Sequence, residues 1–363
     1  METVFPFGFP SATAFYLVLY VLTFALHQAF MHYVLAGSIY VAWATIFPGG
    51  AEVPRLKQPL ASVLRDWMPF MLSAAITAGV APLLFVQIVY PLQFYTANLL
   101  LGWRWMVVIP VLIAGFYLLY VVKSSALSAW SFALRTMIVM LVAACFLFVG
   151  FCWTANHLLA ADEANWPEVY ATGSTMLSPL LVALRMLVWI AGSFASMTVI
   201  AGWQLLCRRQ SFDSEQVAVA FRRLAWCGIG SAVVASGSAI GYSSLSGTAS
   251  LAFGAAALPF TSLAIIGAIV QCVAWLLTLR QGMNRWCVVA ASAGWVLSLL
   301  GVSVVRELFR LQAIDFSTLV ERHQQAAEVG GFGVFLIFAV LNTLLITACI
   351  WLVRRSLRAA EEK

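Results

Sequence analysis

The chain has 363 residues, of which 63% are hydrophobic and only 9% charged, and its mean hydropathy is +0.95. That composition excludes a soluble globular domain, in which about 25% of residues carry charge. The formal net charge of +6 does not mark a nucleic-acid binder, because the basic residues lie scattered at the ends of apolar runs and form no cluster. The expectation is an all-α, polytopic membrane protein.

Apolar runs of about 20 residues, the length needed to cross a bilayer, predict nine transmembrane helices. They cover residues 12–47, 67–90, 103–122, 136–160, 179–206, 224–244, 259–279, 286–305 and 332–353. Every second connection is basic: Arg55, Lys57 and Arg65; Lys123 and Arg135; Arg208, Arg209, Arg222 and Arg223; Arg280 and Arg285; then Arg354, Arg355 and Arg358. The connections between them are poor in Lys and Arg or acidic, as at Asp162, Glu163 and Glu168. The positive-inside rule then places the N-terminus outside and the C-terminus in the cytoplasm. The eighth connection, with Arg306, Arg310 and Arg322, breaks the pattern. The N-terminus shows no basic region of a cleaved signal. No linker or repeat divides the chain, so a single helical domain is expected, with a first four-helix unit at about 12–160 and a second at about 179–355. The seven cysteines lie in or at the ends of spans, with no CxxC or CxxCH spacing, and read as buried small hydrophobes.

The chemistry-bearing residues begin with "FALHQAFMHYVLAG", residues 24–37, inside a run with no charged residue from Thr3 to Ala51. Burying an imidazole in hydrocarbon is costly unless something bonds or coordinates it. His27 and His32 stand five residues apart, about 140° round a helix, so they cannot clamp one metal from one face. Each needs its own partner: a hydrogen bond from a neighbouring helix, or heme iron in an aromatic-lined slot. His157 in "CWTANHLLA" stands near the outer end of span four. Other polar groups gather toward the same side: Gln93 and Asn98, read as a solvated turn after span two; Arg104 between Trp103 and Trp105; Asn156; Arg185 beside Met186; and Arg306, Glu307 and Arg310 in "SVVRELFRLQ". An arginine between tryptophans suits a membrane interface, a heme propionate or a quinone headgroup. Met186 reads as packing or as an iron ligand.

In order and topology these features resemble subunit I of the cytochrome bd quinol oxidases and the heme proteins around it. "HQAFMHYVLAG" is similar to the family's span-one histidine followed by small residues, and "LQFYTAN" to the turn closing its span two. "WTANHLL" is similar to the end of its span four, and "GWVLSLLGVSVVRELFRL" to a span eight that runs into a Glu/Arg element. The chain departs from the family in three places. Span three lacks the paired glutamates, "ALRMLVWIAGSF" offers Arg185 and Met186 in place of a histidine, and "SLSGTASLAFGAAA" replaces the large quinol loop.

The resemblance therefore implies one or more hemes b, with His27 or His32 as the span-one ligand and Glu307 at the position of the family's glutamate ligand, but no oxygen reduction of the bd type. His27 is expected to bind iron, with His157 opposite it and Met186 next in line; Arg104, Arg185, Asn156 and Arg306 are further candidates for cofactor contact. The expected function is a membrane cytochrome b-type subunit of a quinone-linked oxidoreductase in a bacterial inner membrane. It would pass electrons between quinone or quinol and a periplasmic partner such as a multiheme cytochrome c. A transporter or channel with intramembrane histidines, and a heme-free membrane anchor, are the alternatives.

Overall fold

A computed structural model describes residues 11–47, 55–174 and 178–312, with scattered positions between 320 and 355. Its helices are α1 (Ser11–Ile46), α2 (Pro59–Val89), α3 (Pro91–Leu101), α4 (Trp103–Met106), α5 (Val108–Lys123) and α6 (Phe132–Ala160). They continue as α7 (Trp166–Thr172), α8 (Pro179–Cys207), α9 (Ser214–Leu245), α10 (Ala249–Ala252), α11 (Leu258–Gln281) and α12 (Arg285–Gln312). Among the described residues there are eight stretches long and apolar enough to cross a membrane: α1, α2, α4 with α5, α6, α8, α9, α11 and α12. The ninth expected span, 332–353, is described only at scattered positions, which are helical, and Arg322 lies outside the described residues.

Several helices outrun their apolar segments. α2 starts at Pro59, with proline in its first turn, and α9 starts at Ser214, where the Asp213 side chain accepts a hydrogen bond from the Gln216 N–H. Helical hydrogen bonding does not stop at a membrane face, so charged residues that end a hydropathy run do not end the helix. The larger surprise is α3. Residues read as a solvated turn form a helix that packs Ala97 and Leu101 on Ala155 and Leu159 of α6 and Val169 of α7.

Residues 16–315 form one compact unit, and residues 1–15 with 316–363 form another. In the smaller unit the His323 Nδ1 lies 3.0 Å from the Thr13 hydroxyl. In the larger unit, polar contacts tie the basic connections together at one end. Arg65 donates to the carbonyls of Val122 (2.8 Å) and Ser124 (3.4 Å), Arg208 pairs with Asp66 at 2.9 Å, and Arg223 donates to Gln58. The first, third and fifth connections thus share this basic end. At the opposite end Asn156 donates to Asn98 (2.7 Å) and Gln93 to Glu163 (2.7 Å). Leu22, Leu99, Ile109, Tyr117, Val233 and Ile240 are exposed on the flanks, as lipid contact requires.

The closest helix pair is α11 with α12. A Cβ on Gly267 would come within 2.5 Å of the Gly294 carbonyl oxygen, and one on Gly301 within 2.6 Å of the Phe260 carbonyl oxygen. Only glycine permits backbones to meet at that distance. This packing sets the register of α12 and hence the height at which its last turns present Arg306, Glu307 and Arg310.

Candidate functional site

The exception in the charge pattern has a structural explanation. Arg306 and Arg310 belong to no connection; they lie inside α12, and Arg310 is 3% exposed. Arg310 donates to the His157 Nδ1 from Nη2 (2.6 Å) and Nε (3.2 Å), with the Arg306 Nη2 3.3 Å from the same nitrogen. Both guanidiniums also donate to the Tyr20 hydroxyl, at 3.3 Å from Arg310 and 3.4 Å from Arg306. Tyr90 donates to Oε1 of Glu307, whose Oε2 lies 3.8 Å from Arg306 and 3.9 Å from Arg310 without a hydrogen bond. Buried Arg185 on α8 stacks 4.9 Å over the Tyr242 ring, within electrostatic range of Arg306, Arg310 and His157. Among the described residues three guanidiniums thus gather with one carboxylate, two positive charges more than negative in a low-dielectric site. The Nε of Arg306 makes no hydrogen bond. An uncompensated buried charge is strongly unfavourable, so the cluster as described suits an anionic group.

A guanidinium has only donors, so the His157 Nδ1 must be an acceptor, and the ring is neutral with its proton on Nε2. Neither nitrogen then has a free lone pair for iron. Its level also differs from that of His27. His157 is bonded through Arg310 to Tyr20, which precedes His27 by seven residues, about 10 Å of helix. The expected pairing of His27 with His157 across one iron is therefore not what the geometry assembles. Glu307, likewise, is held by Tyr90 and the two arginines.

His27 has the opposite character. Its Nδ1 is 2.8 Å from the Ala75 carbonyl oxygen of α2. A carbonyl only accepts, so Nδ1 carries the proton and Nε2 keeps its lone pair. This is the outer-shell arrangement that fixes a metal-binding histidine. The ring lies directly on Gly79, where a Cβ would meet the imidazole at 2.9 Å. The small residue makes the seat.

His32 is buried against α8 and α12. Its Nδ1 is 2.9 Å from the Ser196 hydroxyl, which also accepts from the Trp295 indole N–H (2.8 Å) and lies 3.3 Å from the Gly192 carbonyl. Its ring meets Trp189 edge-on at 5.8 Å, and its Nε2 is buried without a hydrogen-bond partner. Above it Ser303 donates to Gln28 (2.9 Å), and below it Tyr33 donates to Gln204 (2.7 Å). A polar seam thus runs along α1, α8 and α12.

The remaining candidates stand apart. Met186 packs on α6, with its sulfur 3.3 Å from the Thr154 hydroxyl, which also donates to the Gly150 carbonyl at 2.8 Å. The Arg104 guanidinium stacks 5.2 Å over Trp103, and no contact among the described residues joins it to the Arg306 cluster. Asn156 is used in fixing α3 to α6. Among the described residues no three of His, Cys, Asp and Glu converge as a polydentate metal site would need. Sequence reasoning missed Tyr20, Gln28, Ser196, Tyr242 and Trp295. One signal was available: Tyr20, Phe24, Gln28 and His32 repeat every fourth residue and so share one face of α1.

No protein-family model and no curated protein sequence matches the chain.

Proposed function

We propose that this chain is the cytochrome b-type subunit of a quinone-linked oxidoreductase, a divergent relative of cytochrome bd subunit I. In this reading it lies in a bacterial inner membrane with its basic end in the cytoplasm. It passes electrons between the quinone pool and a redox partner, such as a multiheme cytochrome c, at the other end. The observation that carries the reading is His27, with its tautomer fixed by Ala75, its ring seated on Gly79 and its Nε2 left with a lone pair. The arginine cluster supports it independently, because heme b brings two carboxylates and the cluster has a surplus of two positive charges. The Arg306 guanidinium stacks 4.4 Å over Phe24, which stands three residues, about one turn, before His27 on α1. Bound heme b would supply a one-electron couple. The residues that would hold it are His27, through the Nε2 lone pair, and Arg306 and Arg310, as the counter-charge.

The test is a reduced-minus-oxidised spectrum of the purified full-length protein. A b-type Soret and alpha band is expected, and His27→Ala should remove a heme signal that His32→Ala leaves in place. A folded His27→Ala protein with full heme content and an unchanged spectrum would show the ligand assignment wrong. No heme in the parent protein would leave the pathway and anchor readings.

A further inference from the structure

Two histidines five residues apart on α1 have hydrogen-bond environments of different kinds, and the difference is chemical. The Ala75 carbonyl can only accept, so His27 has one tautomer. The partner of His32 is a hydroxyl, which accepts and donates. With His32 neutral, the Ser196 O–H points at Nδ1 (2.9 Å); with His32 charged, Nδ1–H points at the Ser196 oxygen and the hydroxyl proton turns to the Gly192 carbonyl (3.3 Å). Trp295, an obligate donor, holds the oxygen in place in both states. The site accommodates either protonation state without moving a heavy atom. With the Ser196 O–H donating to Nδ1, the neutral ring carries its proton on Nε2, so Nδ1 is the atom at which a second proton is gained or lost; His32 is buried and its Nε2 makes no hydrogen bond.

On α1 the neighbouring titratable group is His27; on α8 the ring meets Ser196 and Trp189, and Trp295 of α12 donates to that same Ser196 hydroxyl. Arg185 and Arg306 stand eleven residues beyond Ser196 and Trp295, about 16 Å of helix. Toward the basic end Tyr33 donates to Gln204, and one turn further along α8 Arg208 pairs with Asp66, their side chains each 41% exposed.

We infer that His32 is a proton-uptake site that takes one proton from the basic-end solvent when one electron from a quinol or a chemical reductant arrives at the His27 centre, so that the added negative charge is compensated inside the membrane. This rests on the heme reading of His27. The new N–H bond forms at His32, the electron stays on the centre, and no other bond is broken.

The experiment is an optical redox titration of the full-length protein, purified with its heme or reconstituted with hemin, at a series of pH values. The midpoint potential is expected to fall as pH rises, approaching about 59 mV per tenfold change in proton concentration for one proton per electron. His32→Gln should keep the b-type spectrum and flatten that slope. Ser196→Ala, which removes only the switching hydroxyl, should also flatten it, and Ser196→Thr should restore it. Spectra retained with a slope unchanged in both His32→Gln and Ser196→Ala would overturn the proton role while leaving the heme site standing. A parent protein with no b-type spectrum after hemin addition would overturn both.

Discussion

At the scale of residues, the arginine cluster is decided by charge balance more than by any one contact. Among the described residues Glu307 is the carboxylate paired with Arg306 and Arg310, and Arg185 adds a third positive charge within electrostatic range of those two. Glu307→Gln keeps the shape and loses the charge, so it should destabilise the protein by roughly 3–5 kcal/mol, the usual cost of removing one side of a buried ion pair. Arg185→Gln reduces the surplus instead and should cost only about 1 kcal/mol, for its lost contact with Tyr242. Thermal unfolding of the two variants in one detergent checks the contrast, and equal losses would sink the charge-balance account. Sequence alone made Arg306, Glu307 and His157 visible, because ionisable groups in apolar runs stand out by their cost. It hid what each one touches. Nothing about "AAITAG" announces that the Ala75 carbonyl fixes a histidine tautomer or that Gly79 makes room for the ring, since both facts belong to the interface between α1 and α2.

At the scale of elements, the spans were legible because hydropathy is a local property, and their ends were not, because capping and end contacts are local to atoms. α3 was misread for a related reason. Gln93 and Asn98 look solvated in sequence, but Gln93 is buried and each bonds a residue on or after α6. The α11–α12 contact gives a sharp test of how one element positions the site. A Cβ at Gly294 would meet the Gly267 carbonyl oxygen at 2.5 Å and the Gln271 N at 2.7 Å, both backbone atoms that cannot turn aside. Gly294→Val should therefore cost at least about 1–3 kcal/mol of overpacking. It should also shift α12, so that any heme spectrum changes along with stability. Gly230→Val, at an α9 position with nothing within 4 Å, is the control and should change neither.

At the scale of the whole molecule, the two ends differ in charge and in contacts, and this asymmetry predicts orientation. The basic connections are physically joined: Arg65 reaches across to Val122 and Ser124, and Arg208 reaches to Asp66. With Arg310 buried and Arg306 partly buried inside α12, the described residues of the far end keep few exposed cations to oppose the positive-inside bias. The basic end should then face the cytoplasm. Ala126 is exposed beside the third connection, and Tyr170, 85% exposed, lies at the other end. Cysteines introduced at these two positions, with exposed Cys207 replaced, should react with a membrane-impermeant thiol reagent from opposite sides. In intact cells Tyr170→Cys should label and Ala126→Cys should not, and in inverted vesicles the pattern should reverse. Labelling of both from one side would break the spanning arrangement itself. The reverse pattern would keep the spans but turn the molecule over, moving the Asp66–Arg208 entrance of the seam to the outside and with it the source of any proton that reaches His32.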